Sequence, residues 1–396
     1  MTSGIVKLGL VLAAGLALAA PAFGAERAPR FSARTAAAID KAVSAHVAAG
    51  HAMGLAVAVM QDGKLVFSKG WGKANLEWNT PVTPDTVFRI ASNTKSFTAA
   101  SVLILAERGK LSIDDKLSKY LPDFPRGDEV TIRMLLNHTS GVASFDEAVA
   151  DQRMLAVAHT PKEMIALIKG LTPLYVFPPG TAYRYSNSGY HLLGYIVEQV
   201  SGQSLNAFMT ENIFNKLGMT HTAMDDIGDI VPKRAAGYNK VDNKPGAFRN
   251  TDYIPYTTPG PAGGLRSTVG DMALWYQGLF AGKIISQASL QAMTAPGRVA
   301  DGRNSLDAAF ALPGRPLQAP PYPYTYGFGI RSSVLQGHRE HWHSGAVDGF
   351  TSNLRIYPDD GYVIALASNT FRALDGVLEQ VEAAVLDLPP PAPARN

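Results

Sequence analysis

The hydrophobic positions of this chain divide it into two ends that contain strands and a mainly helical middle. Near the start, apolar residues recur every four positions, which predicts an amphipathic helix over 33–49. Two strands are predicted next, over 54–60 and 64–67, and Asp62-Gly63 between them is a strong hairpin signal. The first part of the chain therefore combines one helix with a β-hairpin.

Helical spacing dominates the middle of the chain. Thr160-Pro161-Lys162-Glu163 combines an N-cap, a proline at the first helical position and a capping-box glutamate, so a helix is predicted to start there. Apolar stripes predict further helices over 92–109, 192–200, 204–217 and 270–281. Long loops over 226–264 and 295–323 lie between helices and strands, and loops of this length usually form functional rims or irregular insertions.

Strand patterning returns near the end of the chain. The alternation there predicts four strands, over 326–334, 339–343, 351–357 and 362–367. The turn sequence Pro358-Asp359-Asp360-Gly361 joins the last two. A final amphipathic helix is predicted over 373–386, and the Pro-rich tail, 389–396, is expected to be disordered.

This order of elements predicts an α+β fold. Two early and four late strands can share one antiparallel sheet, with the N- and C-terminal helices covering one of its faces. We expect a sheet lobe built from 31–85 and 324–388, with a mainly helical lobe, 86–323, inserted between the two segments. A cleft between two lobes is the natural place for a site.

Residues 1–24 have the features of a secretory signal peptide. Lys7 precedes an apolar run over 8–20, and small residues follow, with cleavage expected after Ala22 or Gly24. The run is too short to span a membrane stably, and an uncleaved membrane anchor is the alternative. The signal predicts a periplasmic or secreted protein.

Composition narrows the functional classes. The chain has no cysteine, which excludes a disulfide framework and a lipid-modified cysteine. With 46% hydrophobic residues, the part after the signal is long enough to bury a sizeable core. The formal net charge is +3 with no long basic run, so no nucleic-acid partner is expected. No later apolar run is long enough for a membrane span, and we expect a monomer that acts on a small-molecule or peptide substrate.

A hydroxyl and an amine stand three residues apart at Ser92 and Lys95, where a long apolar segment begins. In a helix, positions i and i+3 lie on one face, so Lys95 can exchange a proton with Ser92. A serine hydroxyl is a weak nucleophile until a base takes its proton, and a lysine is such a base only while its amine is neutral. The helix N-terminus also favours negative charge that develops nearby. By itself the Ser-x-x-Lys pair is a weak signal, because about one is expected by chance in a chain of this length.

Two further motifs strengthen this signal. Tyr185-Ser186-Asn187 stands just before a predicted helix of the middle lobe, and His343-Ser344-Gly345 lies on a late predicted strand. Each of the three motifs occurs once in the sequence. Their order, on a helix N-terminus, a loop and a strand, is hard to attribute to chance.

On these motifs the chain resembles the serine β-lactamase and penicillin-binding-protein superfamily, on the branch with class C β-lactamases, D,D-carboxypeptidases, D-aminopeptidases and related esterases. The resemblance covers residues 31–388 and includes phrases that look like family scaffold: Leu135-Leu136-Asn137-His138-Thr139-Ser140-Gly141, Phe177-Pro178-Pro179-Gly180, Pro261-Ala262-Gly263-Gly264-Leu265 and Gly345-Ala346-Val347-Asp348-Gly349-Phe350. It implies a β-lactamase/transpeptidase-like fold and a hydrolase that works without a cofactor.

The resemblance implies roles for individual residues. Ser92 would attack a carbonyl and form an acyl-enzyme, with Lys95 as its proton partner. Tyr185 would carry protons to the leaving group and activate the deacylating water. Whether Lys95 or Tyr185 is the acylation base stays open. Asn187 would hold the substrate amide or orient Lys95.

The late strand would supply the rest of the substrate-binding edge. The implied oxyanion hole consists of the backbone N–H groups of Ser92 and Ala346, and Ser344 and Gly345 lie on the same strand. A glycine at 345 would let the substrate backbone approach the strand closely.

His343 departs from the family pattern, because β-lactamases of this branch carry a lysine there that helps to bind the substrate carboxylate. A histidine with a pKa near ~6.5 is only partly charged at neutral pH. Affinity for carboxylate-bearing substrates is therefore expected to weaken as the pH rises through 7. The histidine argues against strong β-lactamase activity and favours peptidase or esterase chemistry.

Structural roles are the alternatives for several of these residues. Tyr185 would then be a packing aromatic, Asn187 a turn residue and His343 the occupant of a strand position, and His138 is more readily a turn residue than a catalyst. The cluster His338-Arg339-Glu340-His341-Trp342-His343 suggests a metal site, but it contains neither His-Glu-x-x-His nor His-x-His-x-Asp-His. No metal is expected.

The sequence therefore predicts an exported serine hydrolase that forms an acyl-enzyme on Ser92. Its expected substrates contain an amide or ester bond next to a D-amino acid or a small acyl group, with β-lactams as further candidates. The alternative is a catalytically slow penicillin-binding protein of the envelope that acts in binding or regulation. The intact set of Ser92, Lys95 and Tyr185 favours the enzyme.

Overall fold

The computed structural model describes residues 27–149, 151–242, 244, 246–312, 323–389 and 391. The predicted signal peptide lies outside the described residues, as does most of the tail that was predicted to be disordered.

One large antiparallel sheet forms the centre of the molecule. The strands, in chain order, are β1 (Gly54–Gln61), β2 (Lys64–Asn75), β3 (Thr80–Pro81), β4 (Phe88–Arg89), β5 (Ala223–Met224), β6 (Tyr238–Lys240), β7 (Phe248–Asn250), β8 (Leu265–Ser267), β9 (Tyr324–Tyr326), β10 (Arg331–Leu335), β11 (His338–Val347), β12 (Phe350–Tyr357) and β13 (Tyr362–Ser368). Eight of them form the large sheet, in the order β3-β2-β1-β13-β12-β11-β10-β9. The other strands form two small sheets, β4-β8-β5 and β6-β7.

The N-terminal and C-terminal strands meet in the middle of the open sheet. β1 pairs with β13, from Leu55 opposite Ser368 to Gln61 opposite Tyr362. All eight strands come from 54–81 and 324–368, the segments assigned above to the sheet lobe. The intervening chain leaves the sheet and returns to it.

Helices supply the rest of the architecture. In chain order they are α1 (Ala33–Ala48), α2 (Thr94–Glu107), α3 (Ile132–Leu136), α4 (Phe145–Ala148), α5 (Pro161–Lys169), α6 (Asn187–Ser201), α7 (Leu205–Met209), α8 (Asn215–Leu217), α9 (Gly260–Gly263), α10 (Val269–Phe280), α11 (Gln287–Thr294) and α12 (Val377–Leu386). Thr160 and Glu163 form the predicted capping box at the start of α5. A π-helical turn, Thr210–Phe214, joins α7 to α8, so the helix predicted over 204–217 is one continuous helical segment.

The two faces of the sheet pack against different layers. Alternate residues of β1 point to opposite faces, which explains why the whole strand is buried. One face packs against the terminal helices through Leu55, Val57 and Val59 of β1, Ile39 and Val43 of α1, and Val377, Val381 and Val385 of α12. The other face, with Ala56, Ala58 and Met60, packs against the helical layer that contains α2 and α10. This arrangement confirms the predicted α+β fold class.

One predicted strand is divided in two. The segment predicted over 326–334 forms the end of β9 and most of β10, which pair with each other through Arg331 opposite Tyr326. Gly329 lies between them with φ of +67°, and a Cβ there would be 2.8 Å from the backbone carbonyl of Lys95. The strand prediction is therefore wrong at this point, because the chain bends where only a glycine fits against the start of α2.

None of the helices in the described part of the chain combines the length and the apolar character needed to cross a membrane.

Candidate active site

Ser92 lies in a 3₁₀ turn, Ala91–Asn93, that leads directly into α2. Thr94 holds this turn, because its hydroxyl donates to the carbonyl of Ala91 (2.7 Å) and accepts from the backbone N–H of Leu265 (3.1 Å). Ala91 has φ of +47°, in the left-handed region that few residues other than glycine adopt. Such strained positions are concentrated at functional sites. The nucleophile candidate thus sits on a constrained bend just before the helix.

The amine of Lys95 is buried beside Ser92. Nζ lies 3.2 Å from Ser92 Oγ, 2.7 Å from Asn187 Oδ1 and 2.8 Å from the Ala262 carbonyl oxygen. A neutral amine has two hydrogens and one lone pair. It can donate to the amide oxygen and the carbonyl oxygen and accept from the Ser92 hydroxyl, which is the arrangement that a general base requires.

Burial favours this neutral form. It lowers the pKa of Lys95 well below its usual value, because removing an ammonium group from water is unfavourable. Asp146 opposes the shift through its negative charge, and Arg331 adds to it. Burial thus favours the neutral amine that a lysine base requires.

Tyr185 and Asn187 stand where α6 begins, next to Lys95. Asn187 Nδ2 donates to Asp146 Oδ2 (2.9 Å), and its Oδ1 accepts from Lys95, so the orientation of the amide is set from both sides. The Tyr185 ring lies against the amine, with Lys95 Nζ 4.6 Å from the ring centroid. Burial raises the pKa of Tyr185 above its usual value, and a hydrogen bond with Ser92 is among the opposing effects. The structure thus brings together all three predicted catalytic residues.

Two of the predicted substrate-binding residues, Asn187 and Ala346, line the same cavity as Ser92. Ala346 is exposed near the end of β11, opposite Thr351 of β12. Ser344 lies two residues earlier, and its Oγ accepts a hydrogen bond from Arg331 Nη1 (3.0 Å).

His343 is placed differently from the expectation. Its side chain is fully buried and does not line the cavity. Burial lowers the pKa of His343 well below its usual value, and the guanidinium of Arg331 adds to the shift. A neutral, buried imidazole offers no positive charge to a substrate carboxylate at pH 7. The expected weakening of carboxylate binding through pH 7 therefore does not fit the structure.

Gly345 also has a different physical reason from the expected one. A Cβ at this position would collide with the carbonyl oxygen of Ile90, and it would lie 2.7 Å from Ser352 Oγ and 3.0 Å from the backbone nitrogen of Ser92. The close neighbours are therefore Ser352 and the backbone that leads from Ile90 to Ser92, whereas the substrate was expected there. A glycine is needed here because β11 and the Ser92 turn touch directly.

The cavity at Ser92 has a volume of about 200 Å³. Both lobes contribute to its wall: Ala91, Ser92, Phe145, Asp146, Leu155, Asn187, Ile254, Thr258, Pro259, Ala262, Gly263, Ala346 and Val347. Nearby cavities of 260 and 320 Å³ are larger, but neither Ser92 nor Lys95 lies in their walls. The chemistry therefore selects the smaller cavity as the candidate site.

Two charged residues of the site were not found from the sequence. Asp146, on α4, lines the cavity, and its Oδ1 accepts from Ser144 Oγ (2.6 Å). Arg331, on β10, packs over Trp342 at 4.8 Å from the ring centroid. Neither belongs to a motif, and the fold brings both to the site from distant segments. In the described part of the chain, no three His, Asp or Glu side chains converge as metal ligands would.

Two curated relatives of this chain are named as penicillin-binding proteins. The putative penicillin-binding protein PbpX of Bacillus subtilis (strain 168) is 32% identical over 240 residues, which is 60% of this chain and 58% of that protein. Penicillin-binding protein 4* of the same organism is 29% identical over 326 residues, covering 79% of this chain and 67% of the relative. The chain thus spans about three fifths of the length of PbpX.

Solved structures with the same fold include hydrolases. A penicillin-binding protein homologue from Pyrococcus abyssi, described as octameric, has a TM-score of 0.74 at 28% identity, over 90% of this chain and 78% of the other. D-amino acid amidase from Ochrobactrum anthropi SV3, complexed with D-phenylalanine, has a TM-score of 0.74 at 25% identity, over 89% and 99% of the two chains. D-stereospecific amidohydrolase from Streptomyces sp. has a TM-score of 0.73 at 25% identity, over 88% and 98%.

The family model described as Beta-lactamase matches residues 39–386, which include every predicted site residue. The match extends from the middle of α1 to the end of α12, so it covers both lobes and the cavity between them. This chain belongs to the beta-lactamase family, a β-lactamase-fold hydrolase family within the serine β-lactamase and penicillin-binding-protein superfamily.

Proposed function

We propose that this protein is a serine hydrolase that works through an acyl-enzyme on Ser92. One observation carries the proposal: the Ser92 hydroxyl lies 3.2 Å from the amine of Lys95, in surroundings that lower the pKa of that amine. A short distance between the hydroxyl and a lysine amine of lowered pKa is what nucleophilic activation of a serine requires. The bend at Ala91 and the cavity in front of Ser92 support the same conclusion.

In the proposed acylation step, Lys95 takes the proton of Ser92 as Oγ attacks the substrate carbonyl. The backbone N–H groups of Ser92 and Ala346 would stabilise the oxyanion, and one such donor typically contributes about 3–4 kcal/mol. Tyr185 keeps its phenolic proton at neutral pH because its pKa is raised, so it is suited to protonate the leaving group. Lys95 then returns its proton to Tyr185. In deacylation, Tyr185 passes its proton to Lys95 and takes one from the water that attacks the acyl carbonyl. Lys95 then protonates Ser92 Oγ as its bond to the acyl carbon breaks.

The cavity wall favours a substrate with a positive charge near the scissile bond. Asp146 is the one charged residue among those that line the cavity in the described part of the chain. An ammonium group next to the scissile carbonyl would pair with this carboxylate, and the apolar residues Phe145, Leu155 and Ile254 would contact a hydrophobic side chain. Two of the solved neighbours are named as a D-amino acid amidase and a D-stereospecific amidohydrolase. We therefore infer that the substrates are amides of D-amino acids with a free amine.

The curated relatives favour one second candidate, a penicillin-binding protein with slow turnover. In that case a penicillin would acylate Ser92 and stay bound, because the acyl-enzyme would be hydrolysed slowly. The neutral, buried His343 argues against rapid β-lactam hydrolysis, since it provides no cation for the carboxylate of a β-lactam.

The test compares substrates and active-site probes on one preparation. D-Phenylalanine amide, L-phenylalanine amide, N-acetyl-D-phenylalanine amide and a chromogenic cephalosporin are offered in parallel, and intact mass is measured after a fluorophosphonate and after a fluorescent penicillin. We expect the free D-amide to react fastest and the fluorophosphonate to modify Ser92. A stable penicillin adduct without amide turnover would favour the second candidate.

Ser101→Ala is the matched control for Ser92→Ala. Ser101 is buried on α2, and its hydroxyl donates to the Phe97 carbonyl (2.9 Å) inside the helix. Ser101→Ala should keep activity and labelling, and Ser92→Ala should lose both. Undiminished hydrolysis by the Ser92→Ala variant would overturn the proposal.

We also propose that the protein is exported and that its signal peptide is removed by cleavage after Ala22 or Gly24. The apolar run over 8–20 and the small residues after it support this. N-terminal analysis of the protein expressed in its own host should then find Phe23 or Ala25 as the first residue. An intact N-terminus in the membrane fraction would favour the uncleaved anchor instead.

A further inference from the structure

Three buried side chains behind Tyr185 form a hydrogen-bonded chain that the proposed mechanism does not use. His138 Nε2 lies 3.1 Å from the Tyr326 hydroxyl, and the same hydroxyl lies 3.1 Å from His343 Nε2. Beyond the histidines, the backbone N–H of Ser186 donates to His138 Nδ1 (3.2 Å), and His343 Nδ1 lies 2.6 Å from the Ser344 carbonyl oxygen. The chain therefore runs from one backbone group to another through three side chains.

The two backbone groups at the ends determine where every proton in the chain must lie. The Ser186 N–H is a donor only, so His138 Nδ1 accepts from it and His138 carries its hydrogen on Nε2. The Ser344 carbonyl is an acceptor only, so His343 carries its hydrogen on Nδ1. Tyr326 then accepts from His138 Nε2 and donates to His343 Nε2. Every donor and acceptor is matched in this direction, with both imidazoles neutral.

Burial agrees with this assignment of protons. It lowers the pKa of both His138 and His343 well below the usual value, with Lys95 and Arg331 adding to the shift. A second proton on either ring would face a donor already in place. These three side chains therefore form an uncharged link next to a site whose charges are on Arg331 and Asp146.

The three hydrogen-bonded side chains connect the loop before α6 with strand β11. The separation of these two elements matters most for the proposed reaction. Ser186 follows Tyr185 and caps α6, so one end of the chain holds the loop that carries the phenol. His343 and Ser344 belong to β11, which also carries Ala346, the implied oxyanion donor. The chain thus fixes the helical lobe against the sheet directly behind the reacting groups.

His138 itself is held in an unfavourable conformation. Its φ is +63°, in the left-handed region, and its ring centroid lies 4.3 Å from that of Tyr185. The imidazole therefore supports the Tyr185 ring from behind while it bonds to Tyr326. A strained residue of this kind persists only where its surroundings determine its position. For His138, the hydrogen-bonded side chains and the Tyr185 ring do so.

We propose that His138, Tyr326 and His343 are positioning residues that hold the Tyr185 phenol at the distance from Ser92 and β11 that proton delivery to the leaving group requires. This inference rests on the proposed function, because it assigns a task to Tyr185 in the same reaction. It also explains the histidine at position 343: Tyr326 needs a neutral acceptor there, which a lysine ammonium would not provide.

The test uses aryl acetates that differ in how much their leaving group needs a proton. p-Nitrophenyl acetate needs none, and phenyl acetate needs one for efficient departure. For Tyr326→Phe we expect kcat/KM to fall about 10-fold or more with phenyl acetate and less than about 3-fold with p-nitrophenyl acetate, since general acid catalysis typically contributes about 100-fold or more. KM should change little for either ester. A loss of equal size for both esters, or no loss, would overturn the proposal.

Tyr276→Phe is the matched control. Tyr276 is buried as Tyr326 is, but its hydroxyl has no hydrogen-bond partner in the described part of the chain. Its removal should leave both esters unaffected. If Tyr276→Phe shows the same selective loss, the effect comes from general loosening of the protein core, and the inference is overturned.

A second pair of variants covers the case in which Tyr326→Phe fails to fold. His343→Gln keeps an acceptor near the position of Nε2, and His343→Asn keeps only a group near Nδ1. The glutamine variant should preserve more of the phenyl acetate rate than the asparagine variant, and the reverse order would contradict the proposal. If the wild-type protein hydrolyses neither ester and no fluorophosphonate modifies it, the proposed function fails and this inference with it. If wild type is active and Tyr326→Phe behaves like Tyr276→Phe, only this inference fails.

Discussion

Gly345 of β11 packs directly against the carbonyl group of Ile90, two residues before the candidate nucleophile, with no space for a Cβ between them. Ser352 Oγ donates to the same carbonyl oxygen (2.6 Å) and accepts from Asn93 Nδ2 (2.7 Å). The strand that carries Ala346 is thereby fixed to the turn that carries Ser92. This contact sets the separation of the two backbone N–H groups of the implied oxyanion hole.

Gly345→Ala is expected to reduce both stability and activity. The added methyl group must push β11 away from the Ile90–Ser92 backbone, and overpacking of this kind typically costs about 1–3 kcal/mol. Urea unfolding should show the lost stability, and fluorophosphonate labelling of Ser92 should slow. Gly270→Ala is the control, because the nearest atom to a Cβ there is Thr268 Oγ1 at 3.8 Å. Equal labelling rates for the two variants would contradict this account of the contact.

The pH dependence of acylation should reflect the lowered pKa of Lys95. The neutral amine is the active form, so kcat/KM for phenyl acetate, whose leaving group needs a proton, should rise with pH through the pKa of Lys95 and level off well below 10.5. Because burial raises the pKa of Tyr185, the decline caused by loss of the phenolic proton should begin only above pH 10. A rate that climbs without a plateau up to pH 10.5 would show that Lys95 is an ordinary, charged lysine.

Lys95→Arg should lose about 100-fold or more in kcat, because a guanidinium stays protonated and cannot take the Ser92 proton. Lys119→Arg is the control: Lys119 is exposed, pairs with Asp115 (2.8 Å) and lies outside the cavity wall. It should keep the wild-type rate. Substantial activity in Lys95→Arg would transfer the role of acylation base to Tyr185.

Asp146→Asn should weaken the preference for substrates with a free amine. Removing the carboxylate removes its attraction for an ammonium group, and a charged hydrogen bond of this kind typically contributes about 1.5–3 kcal/mol, or roughly a 10- to 100-fold change in rate ratio. The measured quantity is the ratio of kcat/KM for D-phenylalanine amide to that for its N-acetyl derivative. A general disturbance of Lys95 or Asn187 would lower both rates and leave the ratio unchanged, and that result would contradict the proposed recognition.

A further prediction concerns the pH dependence of stability, which we expect Glu382 of α12 to influence. This carboxyl group is buried against the sheet, where it lies 3.0 Å from Arg355 Nη1 and accepts from the Tyr357 hydroxyl (2.5 Å). Burial raises the pKa of Glu382 to about 7, and Arg355 and Tyr357 only partly oppose the shift. The folded chain therefore holds a proton that the unfolded chain releases near pH 4–5.

The sign of the effect follows from this difference. Uptake of a proton by Glu382 stabilises the folded state by up to about 3 kcal/mol. This contribution is fully present below pH 4 and is lost as the pH rises through 7. Glu382→Gln should remove this part of the pH dependence, which urea unfolding at pH 5 and pH 8 would measure. Glu379→Gln, on the exposed face of the same helix, is the control. An unchanged pH slope in Glu382→Gln would contradict the prediction.

Much of the architecture could be predicted because its causes are local. The capping box at Thr160 and the four-residue spacing in α1 act within one or two turns, and strand alternation acts between neighbouring residues. The bend at Gly329 could not be predicted, because its cause is the start of α2, more than two hundred residues earlier in the chain. For the same reason, the need for a glycine at position 345 was attributed to the close approach of the substrate.

The candidate site shows the same division. The spacing of Ser92 and Lys95 places their side chains together once a helix follows, and the motifs at Tyr185 and Asn187 were found in the sequence. The sequence could not show that His343 points away from the cavity. Strand alternation assigns a residue to a face, but what covers that face here is Tyr326 and His138, from two other parts of the chain.

The sequence by itself determined the order of strands and helices, the family and the three motifs, since each depends on residues close together in the chain. Only the tertiary structure decided the charge of the groups at the site. Lys95, Tyr185 and His343 are shifted by burial and by Asp146 and Arg331, which come from separate elements. A pKa depends on everything that surrounds a group in space, and that surrounding exists only after the sheet and the helical lobe have packed together.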